Sequence, residues 1–280
     1  MQRADYYHTY ETIAFERDDA GVLVVRLHSD GRAVDYQAIH HSEWMPAFTD
    51  VAMDRDNRVV VITGTGDWFL KEHGEGGVAA PDLEKRTVPP SRWDIPCQRQ
   101  KLLFDRLLEI DVPVVSAING PVKLHAELVL LGDVILAAEH TVFADIVHFP
   151  TGEPANDGAH ILWTELLGIN RAKYFLMTGH DITADEAIRL GFVHEVWPAD
   201  ELMSRALEVA HQLATYNEMA LRYQRRAFTD RWKHLFLDQY GAGVGMMTEA
   251  MYYMNTDLEH VEGSHKAVSK GLRPVRAKRR

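Results

Sequence analysis

The sequence contains a single cysteine, Cys97, and this scarcity excludes two kinds of site. One thiol cannot close an intrachain disulfide, and it cannot supply the paired thiolates of a cysteine-based zinc site. Long apolar runs are also absent, since none reaches the ~18 residues that a membrane-spanning helix requires. The N-terminal residues lack the apolar core of a signal peptide. We therefore expect a cytoplasmic protein.

Basic residues are in deficit, with 30 Lys and Arg against 41 Asp and Glu and a formal net charge of −11. This balance argues against nucleic acid as a partner. The exception is residues 266–280, which hold seven basic side chains and no acidic one. We predict a solvated, disordered tail there, and contact with an anionic cofactor or partner is the alternative.

The length of 280 residues, 46% of them hydrophobic and 25% charged, fits one large soluble domain with an appended element. Strand patterns alternate with helix patterns up to about residue 200, which favours an α/β fold with crossover connections. The segment from Glu201 to Thr256 is patterned mainly as helix. We predict a core over residues 1–200, a helical region over 201–265 and the tail over 266–280.

Individual elements are predicted from apolar periodicity and from turn residues. Between Gly74 and Pro96 the chain is rich in glycine, proline and charge, which predicts a long loop or lid. The predicted strands are Ile13–Arg17, Val22–Leu27, Arg58–Thr63, Pro113–Ile118, Val134–Ala138 and Val142–Ile146. The predicted helices lie around Trp44 to Met53 and over Gln98–Ile110, Ala126–Leu131, Ala159–Leu167, Arg171–Thr178 and Ala184–Leu190.

Reactive side chains concentrate after the strand Pro113–Ile118, which ends in the turn Asn119-Gly120-Pro121. Strand ends followed by turns are where α/β proteins commonly place their chemistry. Histidines and carboxylates at such ends can form a general base that is held in place by an acid. The candidates in this segment are His125, Glu127, Asp145, His148, Asp157 and His160.

Three ordered motifs resemble the crotonase (enoyl-CoA hydratase/isomerase) superfamily. The first is Val60–Gly66 followed by Trp68-Phe69, the second runs from Val114 to Ala138, and the third runs from Thr178 to Val193. The resemblance implies an α/β fold with a spiral core of ββα turns and a helical C-terminal trimerisation region. It also implies assembly as a homotrimer or a dimer of trimers.

The chain departs from that superfamily where most members bind coenzyme A thioesters. Members commonly have small residues after the Asn-Gly turn, and a backbone amide there forms half of the oxyanion hole. This chain instead has Pro121–Ala126, which includes the bulky His125, and Leu70–His73 replaces the usual second half. A hydratase also uses two glutamates; Glu127 matches the first, but Val147 stands in place of the second.

These departures resemble a branch of the superfamily that needs no coenzyme A, the β-diketone hydrolases. The resemblance implies that substrate is bound by Tyr36, which replaces a carbonyl-binding tryptophan, and by His41, Glu127 and Glu249. It implies no cofactor. The residues that carry it are Asn119–Val122, His125, Glu127, His148–Gly152 and Asp157–His160.

Retro-Claisen cleavage of a cyclic or bicyclic β-diketone needs an activated water and stabilisation of developing negative charge. A neutral histidine near pH 7 can take the proton of water, and a carboxylate on its other nitrogen fixes the tautomer. We assign His148 as the base and Asp157 as its orienting acid. His125 and Tyr36 are candidates to donate hydrogen bonds to substrate oxygens, and His125 stays open as an alternative base.

Other interpretations remain. Glu127 and the basic tail would suit a coenzyme A-dependent hydratase, isomerase or hydrolase with an atypical site. A non-catalytic binding protein can keep the same fold, and Asp145 and His160 are equally compatible with purely structural roles. A metal site is disfavoured, because no His-x-x-x-His or cysteine pair supplies local zinc geometry.

Overall fold

The structure is a computed structural model that describes residues 5–71, 91–149 and 153–256. Its strands are β1 (Ile13–Arg17), β2 (Val22–Leu27), β3 (Val34–Asp35), β4 (Val59–Thr63), β5 (Leu70–Lys71), β6 (Val114–Ile118), β7 (Val134–Ala138), β8 (Val142–Phe143), β9 (Ile182–Thr183) and β10 (Glu195–Trp197). Its helices are α1 (Ala38–Met53), α2 (Ser91–Glu109), α3 (Glu127–Leu130), α4 (Ala159–Leu167), α5 (Ile169–Thr178), α6 (Ala184–Leu190), α7 (Leu202–Ala214) and α8 (Glu218–Thr256). The predicted tail, residues 266–280, lies outside the described residues.

The main sheet has the strand order β1-β2-β4-β6-β7-β10. β1 and β2 pair antiparallel, and the remaining neighbours pair parallel. Successive side chains of a strand point to opposite faces. Val59 and Val61 of β4 therefore pack with α7, whereas Val60 and Ile62 join the larger core on the other face. Burial on both faces explains why β4 is continuously apolar rather than alternating.

The turn after β6 is locked against the turn after β4. Asn119 Oδ1 accepts a hydrogen bond from the Gly64 backbone N–H at 2.9 Å, and Asn119 Nδ2 donates to two carbonyls of the same turn at 2.6 and 3.2 Å. A Cβ atom on Gly120 would lie 2.0 Å from the Asp67 carbonyl oxygen, so only glycine fits there. This close approach fixes the point from which the chain runs on to residues 121–125.

A second, smaller layer of strands begins at that point. Val122 forms parallel bridges with Leu70 of β5 and with Phe143 of β8. It thereby joins the parallel pair of β3 and β5 to the antiparallel pair of β8 and β9. The layer brings the segment that leads to His125 next to the segment that follows β8.

The strand predicted over Val142–Ile146 is wrong in its second half. β8 ends at Phe143, and the backbone N–H groups of Ala144 and Ile146 donate to the carbonyls of residues 122 and 123. Asp145 consequently lies in a loop, where its side chain is free of the alternation that a strand would impose.

The predicted loop over Gly74–Pro96 is also wrong at its C-terminal end, because α2 already begins at Ser91; residues 72–90 lie outside the described residues. Proline favours a helix boundary locally, but α2 packs along α1, and this tertiary contact prevails over the local signal. Helix α1 begins at Ala38, six residues before Trp44, and the remaining predicted strands and helices are confirmed to within two residues at each end. Among the described helices, none combines the length and apolar character needed to cross a membrane.

Buried arginines fasten α8 to the sheet. The Arg225 side chain is 1% exposed; its Nη1 lies 2.5 Å from Asp133 Oδ2, and its Nε donates to the Ile110 carbonyl at 2.5 Å. Asp133 Oδ2 also accepts from the Val114 backbone N–H at 2.7 Å. One carboxylate therefore links α8 to the start of β6, the strand that leads to the Asn119 turn.

Replacement of Arg225 by Leu is expected to lower the free energy of unfolding by about 3 kcal/mol, because Asp133 would keep its charge without the cation. Arg226 is the matched control: its side chain is 45% exposed and pairs with Asp111 at the surface. Arg226→Leu should cost about 1 kcal/mol or less. Urea denaturation measures both values, and equal losses would contradict the anchoring role.

Candidate active site

His148 lies at the centre of a buried acid–histidine cluster in the loop after β8. Its Nδ1 lies 2.8 and 2.9 Å from the two carboxylate oxygens of Asp145. Its Nε2 lies 3.2 Å from Asp157 Oδ1. That second contact is an ion pair without hydrogen-bond alignment, since Asp157 Oδ1 has no hydrogen-bond partner among the described residues. Both ring nitrogens of His148 thus face carboxylates.

The sequence predicts Asp157 as the orienting acid of His148, but the structure places Asp145 on Nδ1. Asp145 Oδ1 also accepts a hydrogen bond from the His148 backbone N–H at 3.3 Å. The carboxylate therefore closes the turn and holds the ring, so the structural interpretation of Asp145 is correct but incomplete. Its spacing of three residues from His148 is the one sequence signal that indicates this contact.

Two carboxylates act on the protonation of His148. Burial disfavours the imidazolium, but the negative charges of Asp157 and Asp145 outweigh burial and raise the pKa of His148 well above its ordinary value. Burial likewise acts to raise the pKa of Asp157, but the charge of His148 holds that pKa well below its ordinary value. The surroundings of His148 therefore favour its protonated form more than the sequence alone indicates.

Glu127, the first residue of α3, is 3% exposed and belongs to the same buried region. Burial and, next, the negative charge of Asp157 raise the pKa of Glu127 to about 8. Its carboxyl group is mostly protonated at pH 7 and can donate a hydrogen bond or a proton there.

Tyr36, His41 and His125 form an aromatic wall of the site. The ring centroids of Tyr36 and His125 are 4.6 Å apart, and those of Tyr36 and His41 are 4.8 Å apart. Burial raises the pKa of Tyr36 well above its ordinary value and lowers the pKa of His41 to about 4. Because the charge of Asp157 acts on both groups, the wall adjoins the acid–histidine cluster.

Several polar atoms in this region are buried without a hydrogen-bond partner among the described residues, which is rare in proteins and indicates a place for a ligand. His125 adds a second unusual feature, a left-handed backbone with φ of 49°, which is uncommon for a residue other than glycine. The buried unpartnered atoms include Tyr36 Oη, His41 Nδ1, Gln100 Oε1, Asp157 Oδ1 and His160 Nδ1.

Of the residues predicted from the sequence, six come together and one does not. Tyr36, His41, His125, Glu127, His148 and Asp157 form the site described above. Glu249 is exposed on α8, and its contact with substrate stays a prediction. Gln100 of α2, which contacts His125, carries no sequence signal because its role depends on helix packing.

The family model described as enoyl-CoA hydratase/isomerase matches residues 17–263, and the chain belongs to that family. This confirms the crotonase-superfamily resemblance and the predicted fold class. Among curated proteins, the probable mitochondrial enoyl-CoA hydratase of Dictyostelium discoideum is 27% identical over 176 residues. The match covers 62% of this chain and 60% of that protein, so it spans less than two thirds of the relative's length.

Solved structures include a β-diketone hydrolase from the cyanobacterium Anabaena sp. PCC 7120, bound to (S)-3-oxocyclohexyl acetic acid. It is 39% identical with a TM-score of 0.83, and the match covers 90% of this chain and 98% of that one. An enoyl-CoA hydratase/isomerase from Mycobacterium paratuberculosis is 22% identical with a TM-score of 0.77, covering 92% and 98% of the two chains. This second likeness shows the fold alone.

Replacement of Tyr36 by Phe is expected to raise the free energy of unfolding by about 1 kcal/mol, because a buried hydroxyl without a partner disfavours the folded state. Tyr6 is the matched control, since its hydroxyl donates to Asp54 Oδ2 at 2.9 Å. Tyr6→Phe should lower stability by about 1 kcal/mol. Urea denaturation of the two variants compares them directly, and equal destabilisation would show that Tyr36 Oη has a partner.

Proposed function

We propose that the protein hydrolyses a carbon–carbon bond of a cyclic or bicyclic β-diketone by a retro-Claisen reaction, giving a keto acid without coenzyme A. The observation that carries the proposal is His148, held between Asp145 and Asp157 in the buried region that also contains the unpartnered hydroxyl of Tyr36. Similarity to the Anabaena β-diketone hydrolase supports it. So does the motif resemblance to 6-oxocamphor hydrolase, another β-diketone hydrolase.

The first step is attack of water on one carbonyl carbon. His148 in its neutral form takes a proton from the water, and Asp145 on Nδ1 fixes the tautomer and stabilises the imidazolium that results. The attack converts the carbonyl oxygen to an oxyanion. Hydrogen bonds from Tyr36 and His125 stabilise this oxygen, each by about 3 kcal/mol in sites of this kind.

The second step breaks the carbon–carbon bond between the attacked carbon and the carbon that lies between the two carbonyls. The bonding electrons pass to that carbon and form an enolate with the remaining carbonyl. The His148 imidazolium then gives its proton to the enolate carbon. The OH of the water thus ends in the new carboxyl group, and its other hydrogen ends on the carbon that lay between the two carbonyls. The neutral carboxyl of Glu127 is placed to donate a hydrogen bond to substrate during these steps.

Side-chain donors are a reasonable replacement for a backbone oxyanion hole in this chain. His125 occupies the position where thioester-binding members of the family have small residues, and its ring fills the space beside Tyr36. A coenzyme A-dependent hydratase or isomerase is the second candidate. It is favoured by family membership and by Glu127, which matches the first glutamate of hydratases and is protonated at pH 7.

Purified protein is expected to convert at least one member of a panel of monocyclic and bicyclic 1,3-diketones to its ring-opened keto acid, in chelator and without coenzyme A. Mass spectrometry detects the gain of one water. His148→Ala should abolish conversion, whereas the exposed His140→Ala should not. If no diketone of the panel is opened and the protein instead hydrates an enoyl-coenzyme A, the proposal is wrong and the second candidate function is correct.

Replacement of Asp157 by Asn should move the acid limb of kcat/KM to lower pH by about 1 unit or more. The neutral form of His148, which acts as the base, predominates only above the pKa of His148, and the charge of Asp157 raises that pKa. Loss of that charge lowers the pKa, so the base form persists to lower pH. The exposed Asp185→Asn should leave the limb in place. A limb that stays or moves upward in Asp157→Asn would exclude His148 as the base.

A further inference from the structure

Gln100 is a buried polar residue that neither the family motifs nor the proposed mechanism uses. It lies on α2, is 3% exposed, and its amide Nε2 lies 3.0 Å from Nδ1 of His125. Its amide oxygen is buried without a hydrogen-bond partner among the described residues. An amide that leaves its oxygen unpaired is oriented by its other end, so the contact with His125 sets its position.

The direction of this hydrogen bond determines where His125 carries its proton. An amide nitrogen is only a donor, and a ring nitrogen accepts only when it has no hydrogen. With the amide nitrogen of Gln100 facing the ring, Nδ1 of His125 is the accepting nitrogen, and in a neutral imidazole the hydrogen then lies on Nε2. Protonation of Nδ1 would set two N–H donors against each other, which disfavours the imidazolium as well.

The ring of His125 has little freedom to escape this arrangement. Its backbone has a φ of 49°, and the ring packs against Tyr36 at 4.6 Å and against His41 at 5.8 Å between centroids. A fixed ring with a defined hydrogen on Nε2 is a preorganised donor, the form in which a side chain stabilises negative charge most effectively.

We propose that Gln100 is a positioning residue that fixes His125 as a neutral Nε2–H donor. In this role Gln100 acts through its hydrogen bond to His125. The proposal rests on the proposed function only for the statement that the Nε2–H of His125 donates to a substrate oxygen. The proposal also assigns different roles to the two histidines. His125 donates a hydrogen bond, and His148 acts as the base.

The first test is spectroscopic and needs no substrate. In protein labelled with ¹⁵N in histidine, the N–H and lone-pair nitrogens of a neutral ring resonate far apart, and long-range ¹H–¹⁵N correlation shows which nitrogen carries the hydrogen. His125→Gln identifies the resonances among the 15 histidines. We expect the hydrogen on Nε2. A hydrogen on Nδ1, or a ring that is cationic at pH 7, would overturn the proposal.

The second test is Gln100→Glu, which replaces the donor by an acceptor of the same shape. A carboxylate requires a hydrogen on Nδ1, so the neutral ring of His125 loses the hydrogen on Nε2, whereas the imidazolium at lower pH carries both. At alkaline pH the kcat/KM of the variant should be about 100-fold below that of the wild type. The variant's kcat/KM relative to the wild type should recover as pH falls. Other titratable groups facing His125 are Tyr36, His41 and Asp157.

Two further variants make the result specific. Gln212→Glu adds the same charge on the exposed face of α7 and should leave both the ratio and the spectrum unchanged. Gln100→Met keeps the packing but removes the amide, so the His125 spectrum should show loss of the single tautomer. A uniform, pH-independent loss of activity in Gln100→Glu, with an unchanged His125 spectrum, would reduce Gln100 to a packing residue.

The two tests also separate this proposal from the proposed function. If no diketone is hydrolysed but the ¹⁵N spectrum shows the Nε2–H form that Gln100→Met abolishes, the positioning role stands and the reaction is wrong. If diketones are hydrolysed but the hydrogen lies on Nδ1, the reaction stands and the role of Gln100 is wrong.

Discussion

The site depends on the placement of two carboxylates, Asp145 and Asp157, at the two ring nitrogens of the buried His148. Burial alone lowers the pKa of a histidine, and His41 shows the effect, because its pKa falls to about 4. His148 is at least as buried, yet its pKa rises well above its ordinary value, because Asp145 and Asp157 each lie within 3.2 Å of a ring nitrogen. The pKa values of two histidines of one site are thus shifted in opposite directions, and the close carboxylates of His148 account for its upward shift.

The fold supplies this arrangement through its backbone rather than through long-range ion pairs. The Asn119 turn, locked onto the β4 turn, sets the start of the segment that crosses to β8. The loop after β8 then places Asp145 and His148 beside α3, and Asp157 follows just before α4. The family scaffold is retained, but the turn that elsewhere leaves backbone amides open here carries His125 in a left-handed conformation.

A feature of the fold or of the site could be predicted from the sequence where local residues determine it, but not where tertiary contacts do. Apolar runs bounded by turn residues predicted five of the six strands of the main sheet, all but β10, and family motifs indicated His125, His148 and Asp157. The start of α2 was predicted wrongly from Pro96, because packing of α2 on α1 prevails over the local tendency of proline to end a helix. The raised pKa of Glu127 could not be predicted, since it arises from burial and from the charge of Asp157, both of which are produced by folding. Gln100 was missed for the same reason.

The protonation of Glu127 has a consequence for the proposed chemistry. Two carboxylates, Asp145 and Asp157, already lie at the ring nitrogens of His148, and an ionised Glu127 would add a further negative charge to the same buried region. The proposed reaction builds an oxyanion and then an enolate there, where like charges repel strongly because screening is weak. A neutral Glu127, together with neutral donors at Tyr36 and His125, keeps that repulsion down. In the proposed reaction the neutral groups of the site are therefore as necessary as the His148 base.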